Sequence, residues 1–317
     1  MIDLHVDFVI QKRLFGYGPD RRHRAGMRGQ PLFWHCDVPR MQEAHYRGAC
    51  LGMHYLPWES ERGWQELQKQ IDVVDQLGEV AGVRRAFSRQ DWATGVGRGE
   101  LVLGVGVEGA HMLNRKLERV ELLKQRGISY LTLAHLGSNS AAYTGWGLYS
   151  NQTIGLSGYG KDLVRELERH EILVDLAHVN HPGVMDACAI ATRPLMCTHT
   201  MARGLYDHPR GLRDEAAVAI AKTGGVIGVI FCPKFLTGKF FSPSRAIVEH
   251  VLYLVNMVGV EHVALGSDFD GWVATIPSDM RDCRDVHLIA EGLLAAGMSS
   301  SDVQRVMWGN ALRMLML

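Results

Sequence analysis

The sequence has no excess of charge of either sign, because 34 lysines and arginines are matched by 34 aspartates and glutamates. Nucleic-acid-binding proteins usually carry a basic excess, so this balance argues against a nucleic-acid partner. A disordered chain is also excluded, since 47% of the residues are hydrophobic. The chain has no uninterrupted run of about 18 apolar residues, and we therefore expect no membrane-spanning segment.

Cysteines are few as well, and the six that occur in 317 residues lie apart, without CxxC or zinc-finger spacing. Their number and spacing exclude a disulfide scaffold, which would be short and dense in cysteine. The opening residues, MIDLHVD, show neither the basic nor the apolar part of a signal peptide. We therefore expect a reducing, cytoplasmic location. Histidine, by contrast, is abundant, with 15 copies.

Short apolar runs alternate with longer amphipathic segments along the chain. Most of these runs are apolar throughout, which is typical of parallel strands covered on both faces. Eight strands are predicted, at residues 2–6, 48–55, 101–107, 130–134, 172–177, 194–198, 225–231 and 263–267. Eight strands that alternate with helices indicate an α/β fold, the (β/α)8 or TIM barrel, with a doubly wound sheet as the alternative.

The lengths of the connections favour the barrel. Segments after strands, such as 8–35 and 136–160, are long and rich in glycine, serine, asparagine and aromatic residues, whereas segments that lead into strands, such as 127–129, are short. A barrel builds its site from the loops at the carboxyl ends of its strands. No internal repeat or interdomain linker is visible, so we predict a single domain over residues 1–317.

Histidines and carboxylates follow six of the eight predicted strands. They are His5 and Asp7, Glu108, His135, His178, His199 and Asp268. In a closed parallel barrel these strand ends converge on one face, so we predict that the side chains line one pocket. A lone buried histidine is more often structural, but chance does not gather so many at strand ends.

The spacing of these residues predicts a pair of metal ions. His5 and Asp7 are two apart on a strand, so both can reach one metal. His178 and His199 end adjacent strands and could hold a second metal, with Glu108 as a bridging carboxylate. Imidazole and carboxylate ligands suit Zn²⁺, and other first-row divalent metals are an alternative. Two ions about 3.5–4 Å apart can deprotonate a water, which leaves Asp268 as the proton shuttle.

Other candidates are weaker. For His54, at the end of the second strand, a place in the pocket and a structural role are equally open. His111 and Asp175 are better explained as supporting or structural groups. The segment Gly104–Gly109 fits the G-x-G-x-x-G pattern, but it lies mostly within an apolar strand and opens no helix, which argues against a nucleotide site.

Taken together, the motifs resemble those of the membrane (renal) dipeptidase family of zinc metallopeptidases, within the amidohydrolase superfamily. The motifs are DLHVD (3–7), GVEG (106–109), YLTLAH (130–135), VDLAHV (174–179), THTMAR (198–203), DHPR (207–210), GSDFDG (266–271) and GNALR (309–313). They follow the family's order over nearly the whole chain. The resemblance implies a barrel with two zinc ions, one bound by His5 and Asp7 and the other by His178 and His199, with Glu108 bridging.

The resemblance also implies how a substrate is handled. His135 is expected to contact the substrate and polarise the scissile carbonyl, Arg210 to clamp the terminal carboxylate of a dipeptide, and Asp268 to act as general base and acid. The family is often dimeric, so a homodimer is a further expectation. The implied partner is a small dipeptide-like molecule.

This chain departs from the family pattern near the pocket. The family usually has Gly and Asn where this chain has Leu4 and Val6, and Asn commonly follows the clamp arginine where this chain has Gly211. The leading hypothesis is a metal-dependent dipeptidase. The alternatives are a related amidohydrolase that acts on another small amide, lactam or biosynthetic intermediate, and a non-catalytic binding protein.

Overall fold

Parallel strands form a nearly closed barrel in the computed structural model, which describes residues 1–24 and 26–317. In these residues the strands are β1 (Ile2–Val6), β2 (Gly48–Met53), β3 (Val83–Arg85), β4 (Leu101–Glu108), β5 (Ile128–Thr132), β6 (Leu173–Asp175), β7 (Met196–Thr200), β8 (Val226–Val229) and β9 (Val263–Leu265). Their order is β1-β2-β4-β5-β6-β7-β8-β9, and a parallel bridge from Val6 to Phe269 brings the two ends together.

Helices surround the barrel. They are α1 (Phe8–Phe15), α2 (Val38–Glu43), α3 (Glu61–Leu77), α4 (Arg89–Arg98), α5 (Arg119–Gln125), α6 (Gly158–Arg169), α7 (His181–Ile190), α8 (Asp214–Lys222), α9 (Pro233–Thr237), α10 (Arg245–Val258), α11 (His287–Ala295), α12 (Ser300–Gln304) and α13 (Asn310–Leu315). Among the described residues, no helix combines the length and the apolarity needed to cross a membrane.

The predicted barrel is confirmed, and each of the eight predicted strands is present. The sequence analysis missed β3, which pairs with the first residues of β4. Its three residues, Val83, Arg84 and Arg85, do not form the apolar run that marks the other strands. Arg85 is nevertheless buried, because its Nε donates to Asp75, 3.1 Å away. The assignment of residues 1–317 to one domain stays a prediction.

Two glycines of β4 make room for aromatic rings inside the barrel. A Cβ added to Gly104 would lie 2.7 Å from the ring of Trp92, and one added to Gly106 would overlap the ring of Tyr130. Glycine within a strand often marks such a close approach. The glycine pattern of this segment therefore serves packing in the barrel, and it places Tyr130 beneath the carboxyl ends of β1 and β4.

Candidate metal centre

The five predicted metal ligands meet at the carboxyl end of the barrel, where all are buried. Nε2 of His5 lies 3.2 Å from Oδ1 of Asp7 and 3.4 Å from Oε1 of Glu108. The same oxygen of Glu108 lies 3.0 Å from Nε2 of His178 and 3.4 Å from Nε2 of His199. Loops and strands that are far apart in the chain thus place three histidine nitrogens around one carboxylate oxygen.

The protonation of three of the predicted ligands, His178, His199 and Glu108, suits a cation. At His5, by contrast, the carboxylates of Asp7 and Glu108 outweigh burial and raise the pKa of the ring well above its usual value. Burial lowers the pKa of His178 to about 4 and holds the pKa of His199 well below its usual value. Burial opposes the charge of Glu108 too, but His135 and His5 outweigh it and keep the pKa of Glu108 well below its usual range. Neutral imidazoles with a free lone pair and an ionised carboxylate are the forms that bind metals.

A hydrogen-bonded chain fixes the tautomer of His199. The hydroxyl of Thr198 donates to Oδ2 of Asp175, 2.8 Å away, so its oxygen accepts from Nδ1–H of His199 at 2.9 Å. The lone pair of Nε2 is thereby directed to the centre of the site. Asp175 also accepts from Thr132 and lies behind the ligands, in the supporting position expected for it.

Several polar atoms of the centre are buried without a hydrogen-bond partner. They include Nε2 of His5, Oδ1 of Asp7, Oε2 of Glu108 and Nδ1 of His54. Buried polar atoms are normally paired, so a set of this kind fits the binding of an ion or a ligand between them. Four overlapping groups of three residues have ligand atoms within 4.8 Å of one another. The groups are His5/Glu108/His199, Glu108/His135/His178, His5/Asp7/Asp268 and Asp7/His54/Glu108. These residues fit a metal centre.

A cavity of about 350 Å³ opens on this centre. Glu108, His135, His178, Arg210 and Asp268 line its polar side. The rest of the lining is mainly apolar and aromatic, with Leu136, Trp146, Phe235, Phe240 and Trp272, and it also includes His208 and Lys234. A few convergent polar groups beside an apolar wall are typical of a site for a small molecule.

Arg210 is the only predicted substrate residue that carries a permanent positive charge. It is 4% exposed, and its Nη2 donates to the carbonyl of His199 at 2.8 Å. Among residues 1–24 and 26–317 it forms no ion pair with a carboxylate, and its Nε lacks a hydrogen-bond partner. Burial lowers the pKa of this guanidinium, which reflects the cost of a desolvated cation. The site therefore offers a buried binding position for an anion.

Asp268 lies three residues after the end of β9, and its carboxylate is near the ligand atoms of His5 and Asp7. Its backbone has a φ of 59°, a left-handed conformation that non-glycine residues rarely adopt, and its N–H donates to the carbonyl of His5 at 3.0 Å. Such residues tend to occur at functional sites. Burial, together with the charge of Asp7, raises the pKa of Asp268 well above its usual value.

Sequence reasoning missed some residues of the site and left others open. His54 lies inside the centre, and its Nε2 accepts a hydrogen bond from the indole of Trp272 at 3.1 Å. His111 is buried beside His135, with ring centroids 6.4 Å apart. Thr198 precedes His199 and could have been singled out by that adjacency. No sequence signal pointed to Trp272.

A parallel barrel with histidines and carboxylates at its carboxyl mouth is typical of the amidohydrolase class. The sequence model of one family within this class, "Membrane dipeptidase (Peptidase family M19)", matches residues 1–316. The chain therefore belongs to the membrane dipeptidase family, as the motifs indicated.

Curated relatives agree with this assignment. Dipeptidase tcpJ of Claviceps purpurea is 30% identical over 78% of this chain and 58% of its own length. An uncharacterized dipeptidase of Schizosaccharomyces pombe is 31% identical over 80% of this chain and 63% of its own length. The chain thus spans less than two thirds of the length of these relatives.

Solved structures show the same fold at low identity. The metallopeptidase described as dipeptidase AC has a TM-score of 0.89 and 21% identity, with 99% of this chain and 97% of that chain covered. A metallopeptidase of Rhodobacter sphaeroides, liganded with a phosphinate mimic of the dipeptide L-Ala-D-Ala, has a TM-score of 0.87 and 21% identity over the same shares. These likenesses establish the barrel.

Proposed function

We propose that the protein is a binuclear zinc metallopeptidase that hydrolyses dipeptides. One juxtaposition carries the proposal: the buried guanidinium of Arg210, which forms no ion pair among the described residues, lines the same cavity as Glu108 and His178 of the metal centre. A buried cation without a partner is costly unless an anion binds beside it. A dipeptide brings its terminal carboxylate within one residue of the amide bond to be cleaved.

The ligand set supports zinc. His5 and Asp7 would hold one ion, His178 and His199 the other, and Glu108 would bridge them. Nitrogen and oxygen ligands of this kind are those that zinc binds in hydrolytic enzymes. Two zinc ions bound there would activate a water molecule and polarise the scissile carbonyl.

The remaining polar residues of the site bind the substrate, stabilise developing charge and transfer protons. Arg210 binds the terminal carboxylate through two N–H groups, which favours dipeptides over longer chains. His135 donates a hydrogen bond to the oxygen of the scissile carbonyl as negative charge develops on it. Asp268 accepts the proton of the attacking water and delivers it to the departing amine. Its raised pKa suits a group that must both take and return a proton.

The aromatic wall of the cavity favours a second candidate. Trp146, Phe235, Phe240 and Trp272 offer a large apolar surface to a bound substrate. Such a wall would also suit a related amidohydrolase that acts on a lactam or another small amide. Such a substrate would still carry a carboxylate that binds Arg210, but it would not have to be a dipeptide.

A substrate panel with the zinc-loaded protein tests the proposal. We expect hydrolysis of L,L- or L,D-dipeptides, and much slower hydrolysis of the same dipeptides with an amidated carboxyl end. Hydrolysis of small lactams without any dipeptide cleavage would favour the second candidate. A chain that binds no metal and stays inert after zinc is added would instead be a non-catalytic member. A homodimer and a cytoplasmic location stay predictions.

A further inference from the structure

His54 points a nitrogen at both carboxylates of the proposed metal centre. The residue follows β2 and is 5% exposed. Its Nδ1 lies 3.5 Å from Oε2 of Glu108 and 3.6 Å from Oδ2 of Asp7. Both distances are longer than a formed hydrogen bond, and within residues 1–24 and 26–317 Nδ1 has no hydrogen-bond partner.

Trp272 determines which nitrogen of His54 carries the proton. The indole Nε1 lies 3.1 Å from Nε2 of His54. An indole N–H can only donate, so Nε2 must accept with its lone pair. The proton of the neutral imidazole is therefore on Nδ1. The atom that faces Asp7 and Glu108 is a hydrogen-bond donor, not the free lone pair that a metal ligand needs.

Trp272 is 41% exposed, and two aromatic rings pack against it. Its ring meets that of Phe33 edge-on, with centroids 4.9 Å apart, and that of Phe15 at 6.3 Å. Its backbone has a φ of 62° in the loop after β9. Trp272 also lines the cavity that contains Arg210. The side chain of Trp272 therefore lines the substrate cavity and also contacts the imidazole ring of His54.

We propose that His54 is a positioning residue, held by Trp272 in the Nδ1–H tautomer, whose N–H is directed between the outer oxygens Oδ2 of Asp7 and Oε2 of Glu108. Nε2 of His135 also approaches Oε2 of Glu108, at 3.2 Å. The inference rests on the proposed function only in taking the carboxylates of Asp7 and Glu108 as metal ligands. Their other oxygens, Oδ1 of Asp7 and Oε1 of Glu108, face Nε2 of His5 at 3.2 and 3.4 Å. A donor on the outer oxygens leaves the inner ones for the metal and restricts rotation of both carboxylates.

Metal affinity is the primary measurement, made by competition with a chelator of known zinc affinity. His54→Ala removes the donor, so we expect zinc affinity to fall by about 10–100-fold, as is typical when a partner of a metal ligand is lost. His54→Asn places an amide N–H near the position of Nδ1 and should restore most of that loss. His54→Gln leaves a group that can accept from Trp272 but no donor near the carboxylates, and should resemble His54→Ala.

Cobalt substitution separates this role from direct ligation. The visible absorption of bound Co²⁺ depends on the number and type of its ligands. We expect His54→Ala and His54→Asn to keep the band positions and the stoichiometry of the parent protein. Loss of one bound ion or a shifted spectrum in both variants would make His54 a ligand and overturn the proposal. Unchanged zinc affinity in His54→Ala would overturn it as well.

Trp272→Phe tests the tautomer, with Trp146→Phe as a matched control. Both substitutions shorten a tryptophan that lines the cavity, but only Trp272 donates to His54. We expect Trp272→Phe to weaken zinc binding several-fold and Trp146→Phe to leave it unchanged; equal effects would contradict the assignment. If the parent protein itself binds no zinc, the proposed function fails. If the parent protein binds zinc and the His54 variants bind it equally well, only this inference is refuted.

Discussion

The hydroxyl of Tyr130 lies 2.7 Å from Nδ1 of His5 and donates its own hydrogen to the carbonyl of Leu4, 3.1 Å away. Because that hydrogen is engaged, the oxygen accepts from Nδ1–H of His5. The lone pair of Nε2 is then free on the side of Asp7 and Glu108, as it is in His199. Two histidines of the centre, whose rings stack with centroids 4.1 Å apart, thus owe their tautomers to neighbouring hydroxyl groups.

Tyr130→Phe should therefore weaken metal binding without disrupting the barrel. We expect zinc affinity to fall by about 10-fold or more, since His5 loses the bond that orients its ring. The loss of the two hydrogen bonds of this hydroxyl should cost about 2 kcal/mol of stability. Chelator competition and urea unfolding of the metal-free protein measure the two quantities.

Tyr17→Phe is the matched control for Tyr130→Phe. The hydroxyl of Tyr17 is also buried and also donates to a backbone carbonyl, that of Cys36 at 2.8 Å, but it contacts none of the predicted ligands. We expect this variant to lose a similar amount of stability and to keep its zinc affinity. Equal losses of affinity in the two variants would contradict the role given to Tyr130.

Asp268→Asn should separate proton transfer from metal binding. The amide keeps the shape of the side chain but cannot accept the proton of the attacking water. We expect kcat on a dipeptide to fall by about 100-fold or more while the protein still binds zinc in the same stoichiometry. The bound metal should be measured together with the kinetics, because the carboxylate of Asp268 lies within 4.8 Å of ligand atoms of His5 and Asp7. A lost ion would make Asp268 a ligand, and an unchanged kcat would remove it from the mechanism.

Arg210→Met should slow the hydrolysis of substrates that carry a free terminal carboxylate. We expect kcat/KM for such dipeptides to fall by at least about 30-fold, since a buried charge pair is lost. The same dipeptides with an amidated end should be affected little. Arg213→Met is a suitable control, because Arg213 is exposed and does not line the cavity. Equal losses on free and amidated dipeptides would refute the clamp.

The positions of the predicted ligands could be read from sequence because each follows a buried strand. An apolar run that ends in a histidine or carboxylate, such as that before His5 or Glu108, marks where a strand leaves the core for the pocket. Parallel strands in a ring then bring these ends together. By contrast, β3 has only three residues, two of them arginines, and no local pattern distinguishes it from a loop.

The partners that orient the ligands could not be predicted in the same way. Tyr130 contacts His5 across 125 positions of the sequence, and Trp272 contacts His54 across 218. Such contacts depend on strand register and on the course of the long loops. Neither follows from periodicity or composition.

His250 provides a stability prediction away from the metal centre. It lies in α10, is 2% exposed, and its Nδ1 accepts from the N–H of Ala202 at 3.1 Å, while Nε2 lies 2.9 Å from the carbonyl of Leu236. Burial lowers the pKa of His250 below its usual value. Protonation of Nδ1 would also break the bond to Ala202, so the folded protein holds the neutral ring.

The sign of the pH dependence follows from proton binding. As the pH falls below about 6.5, the unfolded chain takes up a proton on His250 that the folded chain does not bind. The contribution of His250 to stability is therefore present above that pH and is lost as the solution becomes more acidic. We expect the free energy of unfolding in urea to fall between about pH 7.5 and about pH 5.5, and to fall less in His250→Gln.

His287→Gln controls for the removal of a histidine as such, because His287 is exposed on α11. Its pH dependence should match that of the parent protein. The His250 variant should be less stable than the parent near neutral pH, since its amide cannot reproduce both hydrogen bonds of the ring, and the difference should narrow in acid. If the free energy of unfolding changes with pH by the same amount in the parent and in His250→Gln, the buried ring contributes nothing to the acid sensitivity of the fold.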